Sequence, residues 1–121
     1  MEHLPKLNES DLKPWFDRVE MIHDCVAQVQ KDLGNYGIQL TFSGNALTAY
    51  QELFQQLEPQ LNQLIKRGSS LMEILYRVDV DESKVKQVAE LNEPFSASLT
   101  RLILWRELQK VVTRFLLSRE S

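Results

Sequence analysis

Apolar residues recur along the first third of the chain at Trp15, Val19, Ile22, Val26, Val29 and Leu33, in alternating steps of four and three. That spacing puts them on one side of an α-helix and predicts a first helix opened by Ser10 as cap and closed by Gly34 and Gly37. Asp11 suits its first turn, and Pro14 lies early enough to be tolerated there. A second stripe, Leu47, Tyr50, Phe54, Leu57, Leu61 and Leu64, predicts a helix from Ser43 or Asn45 to Gly68. Pro59 falls inside it, where the missing N–H and the ring crowding the Gln55 carbonyl predict a kink or break.

Ser70 and Glu73 have the spacing of a capping box for a third helix, reaching about Tyr76. The stretch Val78 to Asp81 interrupts it, and Asp81 caps a resumed segment that buries Val85, Val88 and Ala89 and runs to about Leu91. Asn92, Glu93 and Pro94 open a last helix running to Ser118. One stretch, Ile38 to Phe42, alternates apolar and polar residues as a strand would, and so do Val78 and Val80. It reads as an extended loop with three anchoring side chains, with a two-stranded ribbon as the alternative. The sequence therefore predicts an all-α protein. Its expected architecture is a largely antiparallel four- to five-helix bundle with helix 3 interrupted near residues 78–81, one domain across 1–121, and residues 1–9 a flexible tail.

Charge changes this picture locally. The net charge is −3, but residues 1–93 carry nine basic and fifteen acidic side chains, whereas residues 94–121 carry five basic and two acidic. The last helix is a basic element on an acidic body, and the overall sign argues against general nucleic-acid binding. The single cysteine, Cys25, excludes an intramolecular disulfide. The opening residues lack the basic and apolar regions of a secretory leader, and no apolar run approaches the ~20 residues of a membrane span, so the expected location is cytoplasmic.

Candidate chemistry is sparse. Asp79, Asp81, Ser83 and Glu90 stand at positions one, three, five and twelve of a calcium loop. Such a loop needs glycine at position six and an apolar residue at position eight, and this chain has Lys84 and Lys86 there. Asp81 as a helix cap explains more of these residues. Glu20 and His23 form one E-x-x-H pair, but a dinuclear iron bundle needs two pairs, and His3 is the only other histidine. Cys25 has Asp24 rather than a cation beside it and reads as a packing residue on the flank of the first stripe. No catalytic, cofactor-binding or metal-ligating residue is assigned.

The last helix carries most of the functional signal. Leu104, Leu108, Val111 and Phe115 form its stripe, widened by Trp105, Val112 and Leu116, while Arg106, Lys110 and Arg114 make a continuous basic row. Leu99, Leu102 and Ile103 point elsewhere, so this part of the helix is apolar nearly all round. It is either the central helix of the bundle or covered by a second chain. The expected function is a non-enzymatic protein-interaction or scaffolding module, self-associating as a homodimer or binding another protein. Its interface would be Leu99, Leu102, Ile103, Arg106, Lys110 and Arg114. Two rivals stand beside it. One is a small enzyme or ligand-binding protein with a site around Arg101, Asp79, Asp81 and Tyr76; the other is a nucleic-acid regulator using the basic row.

Overall fold

The computed structural model describes residues 7–120, and these are all-helical with no strand among them. Six α-helices follow in order: α1 (Glu9–Leu12), α2 (Val19–Leu33), α3 (Ala49–Lys66), α4 (Leu71–Val78), α5 (Glu82–Ala89) and α6 (Phe95–Glu120). The expected helix 1 is in fact two helices. Asn8, not Ser10, is the cap: its side chain accepts from the Asp11 N–H while Asp11 accepts from the Asn8 N–H, a complete capping box. Pro14 cannot donate to the Ser10 carbonyl, the chain tightens into a 3₁₀ segment over Lys13–Asp17, and Arg18 is extended before α2 begins. Val19 is consequently exposed, and the buried face of α2 runs through Met21, Ile22, Cys25, Val29 and Leu33. Of the expected flexible tail, residues 1–6 lie outside the described residues. Asn8 and Glu9 belong to capped α1, and the Leu7 carbonyl accepts from Gln109 Nε2 at 3.1 Å.

Asn45 caps a 3₁₀ turn, Ala46–Thr48, that leads into α3 and leaves Leu47 exposed rather than on the buried stripe. Helix α3 continues without a break through Pro59. Gln55 and Pro59 are both exposed, so the unpaired carbonyl lies on the wet side. The interruption near residues 78–81 is present: Asp79 adopts left-handed backbone with φ 66° and ψ 53°, and Asp81 caps α5 by accepting from the Ser83 N–H.

Residues 38–43 are the expected extended loop, anchored by Ile38, Leu40 and Phe42, and no ribbon forms among the described residues. They lie as an extended strap along α3, where Gln60 bonds both the N–H and the C=O of Gln39, Gln56 does the same for Thr41, and Glu52 accepts from the Ser43 N–H. From α2, Gln30 takes the Leu40 N–H and donates to the Ile38 carbonyl. Ile38 and Leu40 are thereby buried. The geometry matches because two residues of extended chain advance ~6.7 Å and one α-helical step of four advances ~6 Å.

The strap also sets direction. Residues 39 to 43 meet α3 from Gln60 back to Glu52, so the chain leaves α2, runs the length of α3 and then turns into it. Gln28 meets Arg114 and Asp32 meets Lys110, which makes α2 antiparallel to α6; Glu58 meets Ser96 and Tyr50 stacks on Trp105, which makes α3 antiparallel to α6 as well. The first two long helices are therefore parallel to each other. Helix α6 packs against all five others, and its buried residues Leu99, Ile103, Leu104, Leu108, Val111 and Val112 form the middle of the core. Of the two readings of its all-round apolarity, the central helix is the observed one.

Candidate functional site

The basic row of α6 is engaged within the chain: Arg106 and Lys110 are partly buried and Arg114, though exposed, is bonded to α2. Arg106 donates from Nε to the Asp79 carbonyl at 2.9 Å and from a terminal nitrogen to Asp79 Oδ2 at 2.8 Å, holding the left-handed turn between α4 and α5. Lys110 Nζ lies 2.7 Å from Asp32 Oδ2, and Arg114 donates to Gln28 Oε1 at 2.7 Å. These three side chains tie α6 to its own chain. Leu99 and Ile103 are fully buried in the chain's own core. They are corrected from interface to core residues, because α6 is surrounded by α1 to α5. Of the six expected interface residues, Leu102 and Arg106 line one surface recess together.

That recess is a cleft of about 840 Å³ between α1, the start and body of α5, and the outer side of α6. Leu12, Val88, Leu102 and Trp105 supply its apolar lining, while Glu9, Asp79, Asp81, Lys84, Arg101 and Arg106 add charges in equal numbers of each sign. Trp105 is backed by an aromatic group: it stacks on Tyr50 at 5.4 Å and meets Phe16 edge-on at 5.3 Å. Burial first, then the charge of Glu9, raise the Tyr50 pKa above its ordinary value. Arg101 is paired with Glu93 at 3.4 Å and reaches Glu9 at 4.0 Å. The residues of the ligand-site expectation, Arg101, Asp79 and Asp81, are thus brought together, while Tyr76 is 86 % exposed and absent from the lining. Asp81 accepts from both the backbone N–H and the hydroxyl of Ser83, so its carboxylate serves the cap of α5.

A second polar group lies between α2 and α6, away from the cleft. Glu107 is fully buried, Gln28 nearly so, and Asp32 and Lys110 are about five-sixths buried, with side-chain exposures of 14 % and 16 %. Cys25 is buried, and its thiol pKa is raised, by desolvation first and by the nearby Glu107 second. None of these residues lines the cleft. Sequence reasoning missed the group, although one signal was available: Glu107 stands three residues after Leu104 and four before Val111, squarely on the apolar stripe. Among the described residues no three His, Cys, Asp or Glu side chains gather as a metal site, and no helix is long and apolar enough to cross a membrane.

No protein-family model, curated protein or solved structure matches this chain.

Proposed function

We propose that this protein is a binding module whose recognition surface is the cleft between α1, α5 and α6, and that the cleft takes an amphipathic helical segment of a partner protein. The observation that carries this reading is the make-up of the walls. Two of them are helix faces, apolar at the bottom and charged at the rim, the arrangement by which helix-in-groove recognition works. From Arg101 to Gln109 the α6 wall extends ~12 Å, about two turns of a docked helix. The balanced rim, Lys84, Arg101 and Arg106 against Glu9, Asp79 and Asp81, favours a polypeptide with charges of both signs over a phosphate backbone. Behind that groove Tyr50 and Phe16 pack on Trp105 and hold its ring in place.

A photo-crosslinking amino acid placed at the exposed rim position Lys84 of the full chain should capture one partner segment in the native cell, and a synthetic peptide of that segment should gain helicity on binding. Leu102→Glu, in a folded protein, should weaken the peptide at least tenfold; Glu20→Lys, on the far face, should leave it unchanged. Peptide binding indifferent to Leu102→Glu would overturn the reading. A crosslinked dimer of this chain would replace the partner by a second copy.

A further inference from the structure

The polar group between α2 and α6 is short of one hydrogen. Asp32 Oδ2 receives Lys110 Nζ at 2.7 Å and Gln28 Nε2 at 3.1 Å. Lys110 Nζ lies 2.7 Å from Glu107 Oε1 too, but without hydrogen-bond alignment, and neither oxygen of the fully buried Glu107 finds a donor among the described residues. With both carboxyls ionised, two negative charges would share one ammonium, and one oxygen pair would be buried unsatisfied. A proton on Glu107 removes the first fault and eases the second, because the carboxylic acid can then donate one hydrogen bond to Asp32 and leaves a single ion pair, Asp32 with Lys110.

We propose that Asp32, Glu107 and Lys110 form a proton-linked lock that closes the α2–α6 interface while Glu107 holds its proton and loosens it when the proton leaves to solvent. The groups around Glu107 are few. From α2 come Asp32, Gln28 and the Cys25 thiol; from α6 itself come Lys110 and Arg114, the latter held by Gln28. The buried side chains of α1, α3, α4 and α5 are all apolar, so no other charge reaches the pair from within the core.

Burial pushes the Glu107 pKa up to about 8, and the nearby Lys110 ammonium recovers only part of that shift. Burial also draws Asp32 upward, but hydrogen bonds from Lys110, Glu107 and Gln28 outweigh it and leave Asp32 below its ordinary value. When the interface opens, Glu107 returns towards its ordinary 4.5. Between 4.5 and 8 the closed form holds a proton that the open form has lost, so opening becomes easier as pH rises. Above the upper limit both forms are ionised and the dependence stops. Asp32 acts with the opposite sign, its contribution being lost only as pH falls through its lowered pKa, outside this window.

Cys25, the only cysteine of the chain and fully buried beside Glu107, reports on opening. Its alkylation rate by iodoacetamide in the full chain, divided by the rate in the urea-unfolded chain at the same pH, removes the thiol's own titration. That ratio should rise up to about tenfold per pH unit from about 5 to 8 and then level off, roughly a thousand-fold in all. Glu107→Gln keeps the shape and a donor to Asp32 but has no proton to lose, and its ratio should be flat. A flat ratio in the wild-type chain, or an equal rise in Glu107→Gln, would overturn the lock. Carbon-detected NMR of the wild-type carboxyls gives an answer independent of any variant: Glu107 titrating near 4 rather than near 8 refutes the proposal.

Discussion

Asp79 is the only non-glycine among the described residues with positive φ, and Arg106 grips both its carbonyl and its carboxylate. An L side chain is strained in that conformation, whereas glycine is not. Asp79→Gly and Asp79→Ala both delete the carboxylate, so their difference isolates the backbone: the glycine variant should be more stable by about 1 kcal/mol in urea denaturation. Equal stability would mean that the turn relaxes once the carboxylate is gone. The sequence showed an interruption at this place, because "VDVD" breaks the apolar spacing and Asp81 is a natural cap. It did not show Arg106 as the clasp, since the pairing spans 27 residues and depends on how α6 lies across the turn. Glu107 was legible in the same limited sense. A carboxylate on an apolar stripe announces a buried polar contact without naming Asp32 as its partner.

At the scale of elements the strap is the most informative. Ile38, Leu40 and Phe42 alternate with polar residues as in a strand, and the backbone is bonded on both sides as in a strand, yet its neighbours are side chains of two helices. The amides of Gln39, Leu40 and Thr41 should therefore exchange with solvent hydrogen at least about tenfold more slowly than those of exposed loops. Gln60→Ala should abolish the protection of Gln39 and cost about 1 kcal/mol, the ordinary net contribution of a hydrogen bond. Unchanged exchange at Gln39 in that variant would remove Gln60 from this role. The alternation was readable; the partner was not, because Glu52, Gln56 and Gln60 look like the solvated side of any amphipathic helix. The split of the first helix was partly visible at Pro14, and the stripe through Trp15 and Val19 concealed it.

For the whole molecule, helix class was legible because period and caps are local properties. Direction was not, because the fifteen residues 34–48 between α2 and α3 are too many to force an antiparallel return. They instead carry the strap that lets the two helices run parallel. The position of α6 follows from its composition, since a helix apolar on several sides must be covered on several sides. Its outer side and the side against α2 hold unlike chemistry: an open cleft with paired charges at the rim, and a closed polar group with a shared proton. That central position also bears on biosynthesis. A ribosome delivers helices in order, and the helix against which α1 to α5 all pack arrives after them. Nascent chains stalled with residues up to Pro94 outside the exit tunnel should be cut readily by a protease, and chains exposed through Glu120 should resist it. Resistance at the shorter length would show a core forming without α6. Otherwise Leu53, Leu57 and Ile22 stay uncovered until α6 emerges, and up to that point the nascent polypeptide is a client for chaperones.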